Sequence, residues 1–317
     1  MRIVFMGTPE SAVPSLRRCL DDGHEVVAVW TQPDKPAGRG NKVSLSPIKE
    51  LAISRGLVVH QPARIKTDEA RRLFASHDAD VAVVVAYGRI LPAQFLRAPR
   101  RGCINLHFSL LPKYRGAAPV NWAIVNGEQK TGVTTMFIEE ELDSGPILLQ
   151  RDSEIGAEET TPQLMARLAD MGAELLSETL AQVNTITPRP QRGEEATLAP
   201  LLIKEDGLID WSMDAFAIER RARGFQPWPN AYTFCNSRRL IVWRAVAEKI
   251  ERISEGGSQP NATLPGTIIT ASGSDLVLAC GRETALHLLE VQPEGARRMT
   301  GPEFLNGARI RAGETMG

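Results

Sequence analysis

Met1-Arg-Ile-Val-Phe-Met-Gly-Thr-Pro-Glu10 begins with a run, residues 3–6, that is apolar throughout and includes β-branched side chains. A short run that is apolar on both faces is typical of a strand buried inside a parallel sheet. Residues 9–20, which follow it, have the length and the spacing of apolar side chains expected of a helix. The stretch therefore predicts a strand followed by a helix, which is the repeating unit of an α/β domain.

The same alternation of short apolar runs and helical segments continues through the first 180 residues. Repeated units of this kind predict the α/β class, with a doubly wound, Rossmann-like sheet. The predicted strands are residues 3–6, 26–30, 57–59, 81–85, 102–107, 131–138 and 146–151. The predicted helices are residues 9–20, 47–54, 68–76 and 161–183.

The polar, proline-rich stretch Thr187-Pro-Arg-Pro-Gln-Arg-Gly-Glu-Glu195 ends this pattern and predicts a linker. One helix, at 213–223, and several short strands separated by Gly, Pro, Asn and Ser come after it, a texture typical of a small β-barrel or sandwich. We therefore predict a first domain over 1–186, a linker over 187–205 and a second domain over 206–317. The predicted strands of the second domain are residues 231–235, 240–246, 266–270, 276–279 and 286–291.

The composition excludes several classes of protein. Apolar residues make up 43% of the chain and charged residues 24%, which excludes wholesale disorder. A formal net charge of −1 means that a nucleic-acid partner would require a local basic patch. The four cysteines form no C-x-x-C pair, so we expect free thiols and no metal site. Because the first residues carry no signal-peptide pattern and no apolar run could span a bilayer, we expect a cytoplasmic protein without a membrane partner.

The usual nucleotide-binding motifs are missing. Met6-Gly-Thr-Pro-Glu10 lies where a dinucleotide site would carry G-x-G-x-x-G, and the carboxylate of Glu10 would repel a pyrophosphate. Gly127-Glu-Gln-Lys-Thr-Gly132 has the glycine spacing of a P-loop, but Val133 stands at the position of the required lysine. H-E-x-x-H and G-x-S-x-G are also absent, so zinc and serine hydrolases lack their usual markers.

Two polar residues lie at the end of a predicted buried strand, in Cys103-Ile-Asn-Leu-His-Phe-Ser-Leu-Leu-Pro112. Asn105 and His107 share one face of that strand because alternate residues point the same way. The carboxyl ends of strands are where open α/β sheets place their sites. An amide beside an imidazole can stabilise an oxyanion and transfer a proton. Alternatively, His107 is a core histidine and Asn105 caps a turn, and the spacing alone favours neither interpretation.

Asp143 lies in the turn Glu139-Glu-Glu-Leu-Asp-Ser-Gly-Pro146. We interpret Glu139, Glu140 and Glu141 as a solvated acidic hairpin. Asp143 differs from them because the Asp-Ser-Gly turn fixes its carboxylate, which could orient His107 and stabilise its charge.

Together these stretches resemble the folate-dependent formyltransferases, and within them the branch that acts on methionyl-tRNA. The resemblance runs nearly end to end. It is carried by Asn105-x-His107-x-Ser109-Leu-Leu-Pro-x-Tyr-Arg-Gly-Ala-Ala-Pro119, Asp143-Ser-Gly-Pro146, Gln32-Pro-Asp-Lys-Pro-Ala-Gly-Arg-Gly-Asn-Lys42, Asp206-Gly-x-Ile-Asp-Trp211 and Gln226-Pro-Trp-Pro-Asn-Ala-Tyr232. It implies a formyltransferase domain followed by an OB-like β-barrel that binds tRNA.

The resemblance also implies a reaction. A formyl group passes from 10-formyltetrahydrofolate, a co-substrate, to the α-amine of initiator methionyl-tRNA, by direct attack of the amine through a tetrahedral oxyanion. Asn105, His107 and Asp143 would be the catalytic residues, and no metal would take part. The implied folate-binding residues are Ser109, Leu110, Leu111, Pro112, Ile90 and Leu91, of which the last two could equally be plain core residues.

Two basic regions are candidates for contact with tRNA. Residues 34–49 carry four basic side chains against one acidic side chain, and the resemblance implies that Lys35, Arg39 and Lys42 bind the acceptor end. Without the resemblance, a solvated loop would be the better interpretation. The second region lies in the C-terminal part and comprises Arg220, Arg221, Arg223, Arg238, Arg239 and Arg244. We expect the protein to act as a monomer.

Three other functions compete with this one. A formyltransferase acting on a small amine, such as a sugar amine or glycinamide ribonucleotide, would have no use for a basic loop and a basic second domain. An RNA-binding protein with a vestigial α/β domain would not need Asn105, His107 and Asp143. A formyl-folate hydrolase would turn over without any amine.

Overall fold

The computed structural model describes residues 1–37, 42–250, 264–273 and 275–317, with the backbone alone described at 35–37 and 42–43. The chain divides into two compact units. The first contains residues 1–119, 130–154 and 163–200, and the second contains residues 120–129, 155–162 and 201–317. The domain boundaries predicted at 186 and 206 remain a prediction.

The part of the chain up to residue 200 alternates strands and helices as the sequence predicts. Its strands are β1 (Arg2–Gly7), β2 (Glu25–Trp30), β3 (Lys35–Ala37), β4 (Lys42–Ser44), β5 (Val59–His60), β6 (Val81–Val85), β7 (Cys103–His107), β8 (Arg115–Gly116), β9 (Lys130–Phe137), β10 (Ile147–Glu154) and β11 (Leu198–Ala199). Its helices are α1 (Val13–Asp21), α2 (Pro47–Ser54), α3 (Asp68–Ser76), α4 (Ala93–Arg97), α5 (Pro119–Val125) and α6 (Thr161–Gln182).

The main sheet has the strand order β10-β9-β7-β6-β1-β2-β5. The five strands from β7 to β5 are parallel, whereas β9 and β10 run antiparallel to their neighbours. The chain moves from β1 through β2 to β5, then returns to β6 on the other side of β1 and continues to β7. The order therefore reverses between β1 and β6, which confirms the predicted doubly wound, Rossmann-like fold.

Local sequence explains where these helices begin. Ser46 caps α2 by accepting a hydrogen bond from the backbone N–H of Lys49, and Thr67 caps α3 in the same way from Ala70. Such caps satisfy backbone donors that the first helical turn leaves free. All five residues of β6 are buried, as expected for a central parallel strand.

The second unit contains an antiparallel sheet with the order β12-β13-β16-β15-β14, and β17 pairs with β16. Its elements are α7 (Ala215–Gly224), β12 (Ala231–Cys235), β13 (Arg238–Lys249), β14 (Ile268–Ser272), β15 (Asp275–Cys280), β16 (Thr284–Pro293), β17 (Met299–Thr300) and α8 (Gly301–Ala308).

The last described residues join the two edges of this antiparallel sheet. The N–H of Ile268, on β14, donates to the carbonyl of Glu314 at 2.8 Å. The N–H of Gly317 donates to the carbonyl of Phe234, on β12, at 3.0 Å. These bonds connect both edge strands to the C-terminal residues, and the predicted C-terminal domain of short antiparallel strands is confirmed.

The segment predicted to be a linker is attached to the first unit by backbone hydrogen bonds. Ile147, at the start of β10, exchanges two 2.8 Å bonds with Arg189, and β11 pairs with β8 in parallel. The proline-rich composition gave no sign of these contacts. In the part of the chain that is described, no helix has both the length and the apolar content needed to cross a membrane.

Candidate active site

Asn105 and His107 lie on β7, between β6 and β9, and share one face of the strand as predicted. His107 is the last residue of β7 and is buried, whereas Asn105 is half-buried. Among the described residues, no group forms a hydrogen bond with the side chain of Asn105, so its amide is available to a substrate. The two side chains therefore lie at the carboxyl end of the sheet, where α/β folds bind their ligands.

The imidazole of His107 lies between two acceptors of hydrogen bonds. Its Nε2 atom is 2.9 Å from the carbonyl oxygen of Tyr114, and its Nδ1 atom is 3.7 Å from Oδ2 of Asp143. A backbone carbonyl can only accept, so the ring donates its Nε2–H to Tyr114. Its Nδ1 faces the carboxylate of Asp143 at ion-pair distance, where Asp143 can orient the ring.

Asp143 lies in the turn between β9 and β10, with a backbone φ of 48°. That left-handed conformation is uncommon outside glycine and points to local constraint. The Oδ2 atom that faces His107 also accepts a 2.8 Å hydrogen bond from the backbone N–H of Gly116. Asn105, His107 and Asp143, predicted separately from two motifs, therefore come together at one edge of the sheet. Glu139, Glu140 and Glu141 are exposed, as a solvated hairpin requires.

This arrangement can support attack on a carbonyl carbon. An unengaged amide donor can stabilise a developing oxyanion, which is typically worth ~10²–10³ in rate. A carboxylate-linked imidazole beside it can stabilise negative charge and move a proton. All four cysteines lie among the described residues, and each is buried as a free thiol. Burial raises the pKa of the Cys19 and Cys103 thiols to about 12, which makes them poor nucleophiles.

The predicted folate-binding stretch, residues 109–112, follows β7 directly and is held by the neighbouring strands. Ser109 is fully buried and donates its hydroxyl to the carbonyl of Lys113 at 2.7 Å. The N–H of Leu111 donates to the hydroxyl of Thr134, and its carbonyl accepts from Gln150 at 2.8 Å. Leu111 is buried, whereas Leu110 and Pro112 are half-buried. The stretch is thus a fixed wall beside His107.

The other two predicted folate contacts, Ile90 and Leu91, have different surroundings. Leu91 is 6% exposed and packs in the core of the first sheet with Tyr87 and Phe95. Ile90 is 67% exposed. An apolar side chain so exposed beside the carboxyl edge of β6 is available to a ligand, whereas Leu91 already has the packing of a core residue.

The predicted tRNA-binding loop is described only at its two ends. Lys35 lies on β3 and Lys42 on β4, and the two strands pair antiparallel. Arg39 falls outside the described residues.

An ion pair between Asp34 and Lys49 joins the two ends of this loop. Gln61 donates a further 2.8 Å hydrogen bond to Asp34. These bonds from Lys49 and Gln61 hold the pKa of Asp34 below its ordinary value. Lys49 was counted among the four basic side chains of the loop, but its charge is neutralised by Asp34.

The arginines of α7 are engaged within the second unit. Arg220 donates to the carbonyl of Val125, Arg221 lies over the ring of Phe225, and Arg223 pairs with Glu219. Arg239, on β13, lies 4.0 Å from the ring centroid of Tyr232. The two members of the predicted cluster that remain exposed are Arg238 and Arg244.

Four residues beside the site were not predicted to be site residues. Tyr114, Arg115, Gln191 and Thr197 form the frame that surrounds His107 and Asp143. The first two belong to the quoted motif, where only the spacing from His107 could have marked them. Gln191 and Thr197 lie in the segment interpreted as a linker. Across the described ranges, no group of three His, Cys, Asp or Glu side chains is placed to hold a metal ion.

Comparison with known proteins gives matches along almost the whole chain. A family model described as formyl transferase matches residues 1–180, and one described as formyl transferase, C-terminal domain, matches residues 201–309. The methionyl-tRNA formyltransferase of Caldanaerobacter subterraneus is 48% identical over 316 residues, which is 99% of each chain. That of Solibacter usitatus is 47% identical over 319 residues, covering 100% of this chain and 99% of the relative.

Solved structures share the fold at low identity. WlaRD, a sugar 3N-formyl transferase solved in the presence of dTDP and 5-N-formyl-THF, aligns with a TM-score of 0.65 at 16% identity, over 94% of this chain and 99% of its own. HypX from Aquifex aeolicus, in complex with tetrahydrofolic acid, aligns with a TM-score of 0.61 at 17% identity, over 100% of this chain and 50% of its own. At such identities these likenesses establish the fold alone.

Proposed function

Because the chain belongs to the formyl transferase family, we propose that it transfers a formyl group from 10-formyltetrahydrofolate to the α-amine of methionyl-tRNA. The family and the transferase class predicted from the motifs are both confirmed. The observation that carries the proposed substrate is the identity of 42–48% with eight relatives named methionyl-tRNA formyltransferase, each matched over at least 98% of this chain.

In this proposal the amine of the substrate attacks the formyl carbon directly. A carbon–nitrogen bond forms to the methionyl amine, the bond from the formyl carbon to the folate nitrogen breaks, and the proton that the amine loses balances the one that the leaving nitrogen gains. Asn105 donates a hydrogen bond to the oxyanion of the tetrahedral intermediate. His107 stabilises that charge and assists the proton transfer, and Asp143 holds the imidazole.

The folate would lie against the fixed wall of residues 109–112, with Ile90 exposed beside it. Thr134 and Gln150 hold the wall by binding the backbone of Leu111, so this surface exists before any ligand arrives. A surface set in advance loses less free energy in ordering on binding. The proposed fit depends on this chain's own apolar and backbone groups and needs no metal.

The tRNA would contact the loop that carries Lys35, Arg39 and Lys42, and the exposed Arg238 and Arg244 of the barrel. Basic side chains on a loop and on a barrel suit contacts to phosphate and to 2′-hydroxyl groups of an A-form helix. We propose initiator methionyl-tRNA as the acceptor and a monomer as the active form, working in the cytoplasm.

The test is transfer of radiolabelled formyl from 10-formyltetrahydrofolate to a set of acceptors. The acceptors are initiator methionyl-tRNA, elongator methionyl-tRNA, uncharged initiator tRNA, a sugar amine and glycinamide ribonucleotide. We expect label on initiator methionyl-tRNA far above all the others. Label on a small amine alone would replace the proposed acceptor, and release of formate without any amine would make the protein a hydrolase.

A further inference from the structure

The two partners of the His107 ring are both held by one segment, residues 189–199. This segment lies far from β7 in sequence and was predicted to be a linker. It is fixed at one end by the paired bonds between Arg189 and Ile147, and at the other by the pairing of β11 with β8. Between these two anchors, two of its side chains reach the catalytic site.

Gln191 holds the turn that carries Asp143. Its Nε2 atom donates to the carbonyl of Asp143 at 2.9 Å and to the carbonyl of Gly145 at 2.8 Å. Its Oε1 atom accepts from Arg115, at 3.0 Å from Nε and 2.8 Å from Nη2. One amide therefore ties the Asp143 turn to the strand β8, whose Gly116 N–H binds the Asp143 carboxylate.

Thr197 holds the other partner of the ring. Its hydroxyl accepts a 2.9 Å hydrogen bond from the backbone N–H of Tyr114, whose carbonyl binds Nε2 of His107. Tyr114 has a backbone φ of 63°, so its peptide groups are held in a left-handed conformation that this contact helps to fix.

We propose that Gln191 and Thr197 are positioning residues of the active site, which set the distances of His107 to Asp143 and to Tyr114. The inference rests on the proposed catalytic roles of His107 and Asp143. Only an amide fits the position of Gln191, because it must supply two donors to carbonyls and an acceptor to a guanidinium. A carboxylate would satisfy Arg115 but would face the two carbonyls without a donor. Errors of about 1 Å in such frames cost ~10²-fold in rate.

The experiment measures kcat, KM for both substrates and the thermal midpoint of variants of the full chain. Gln191→Met preserves the length of the side chain and removes every polar contact, whereas Gln191→Glu preserves only the acceptor. We expect kcat to fall by ~10–10²-fold in both variants, with the two KM values within about twofold of wild type. If Gln191→Met fails to fold, the kcat of Gln191→Glu still tests the role of the two donated hydrogen bonds. Arg192→Ala, an exposed neighbour, is the matched control and should behave as wild type.

Two variants of Thr197 test its hydroxyl, one that removes the group and one that retains it. Thr197→Val has nearly the same shape but no hydroxyl, and Thr197→Ser keeps the hydroxyl. We expect kcat to fall by ~10-fold in Thr197→Val and to recover in Thr197→Ser. An equal loss in both variants, or no loss in either, would contradict a role of the hydroxyl in catalysis.

A double-mutant cycle separates positioning from a general effect on the fold. If Gln191 acts through Asp143, Gln191→Met should have little further effect on kcat once Asp143→Asn is present. Full additivity of the two effects would overturn the inference. The same variants separate the failure of the proposed function from the failure of the inference. A wild-type kcat in Asp143→Asn would remove the proposed catalytic role of Asp143. A lower kcat in Asp143→Asn, together with a wild-type kcat in both Gln191 variants, would remove only the positioning role of Gln191.

Discussion

The carbonyl oxygen of Tyr114 and the Nε2 atom of His107 are 2.9 Å apart. Because Asp143 lies on the other side of the ring, the imidazole is held between two oxygens that can only accept. Asn105, two residues earlier on β7, has a side-chain amide that binds no described residue. In the proposed mechanism the two residues therefore have separate tasks, with charge and proton transfer at His107 and hydrogen-bond donation to the oxyanion at Asn105.

The first prediction concerns His107. His107→Ala should lower kcat by ~10²–10⁴-fold and change KM for either substrate much less, because its contribution develops in the transition state. Asp143→Asn should also lower kcat, since the amide retains the shape but not the charge. Steady-state kinetics with methionyl-tRNA measures both. A near-wild-type kcat in His107→Ala would remove it from the mechanism.

The second prediction separates a catalytic asparagine from a structural one. Asn105→Ala should lower kcat by ~10²–10³-fold and leave the thermal midpoint close to wild type, because the amide binds no described residue. Asn121 is the control: its amide donates to the carbonyl of Gly224 at 2.7 Å. Asn121→Ala should lower stability and affect kcat little. The opposite pattern would place the oxyanion donor elsewhere.

The strands of the first sheet could be predicted because burial on both faces leaves long β-branched runs, as in β6. The two-residue strands β8 and β11 could not, because a strand so short has no periodicity. Their pairing depends on Gly116, where any side chain would meet the backbone of Ala199. The sequence shows the glycine but not its neighbour, since the two positions come together only in the folded chain.

The candidate catalytic residues were predictable because Asn105 and His107 alternate on one strand, and because Asp143 belongs to a turn with its own motif. Gln191 was not, because an amide that binds backbone carbonyls leaves no pattern in the sequence. The arginines of α7 show the converse. From the sequence, Arg221 and Arg223 were assigned to a basic surface. In the structure Arg221 lies over the ring of Phe225, and Arg223 forms an ion pair with Glu219.

The third prediction concerns stability at acid pH. The rings of His60 and His77 lie 5.1 Å apart beside Trp30, whose Nε1 donates to His77. Burial lowers the pKa of both imidazoles below the ordinary value of 6.5, and for His77 the charge of His60 adds to the effect. Below about pH 6.5 the two histidines therefore bind protons more readily in the unfolded chain than in the folded chain. The neutral, buried rings contribute fully to stability above about pH 6.5, and this contribution is lost as the pH falls below it.

Chemical denaturation followed by tryptophan fluorescence should thus give a free energy of unfolding that decreases from about pH 7.5 to about pH 5.5, by at most about 1.4 kcal/mol per pH unit for each histidine. His60→Asn and His77→Asn should each flatten this slope, and any pH-independent loss can be subtracted at about pH 8. Variants with the wild-type slope would show that these two rings do not set the acid response.

The fourth prediction tests the acceptor through Arg39. If the loop of residues 34–49 binds the acceptor end of tRNA, Arg39→Ala should lower kcat/KM for methionyl-tRNA. It should also flatten the dependence of log binding constant on log salt by about one unit, for the loss of one phosphate contact. Lys130→Ala is the control, because this exposed lysine already pairs with Asp152 at 3.4 Å. Equal salt slopes in wild type and Arg39→Ala would take the loop out of the RNA site.

The fifth prediction concerns the contact between β8 and β11. Gly116 has a backbone φ of 126°, and a Cβ atom there would lie 2.5 Å from the carbonyl oxygen of Ala199. Gly116→Ala must therefore displace one strand from the other, at a cost of about 1–3 kcal/mol in the free energy of unfolding. The same displacement moves the N–H that binds Asp143, so kcat should fall as well.

Gly193 is the matched control, since it lies in the same segment. A Cβ atom at Gly193 meets nothing within 4 Å, and its backbone is not left-handed. Gly193→Ala should therefore change stability by no more than about 0.5 kcal/mol and leave kcat unchanged. Thermal unfolding and steady-state kinetics on the two variants decide the question together. If Gly116→Ala matched Gly193→Ala in both measurements, the strands would separate without consequence, and the segment that carries Gln191 and Thr197 could not be what fixes the geometry around His107.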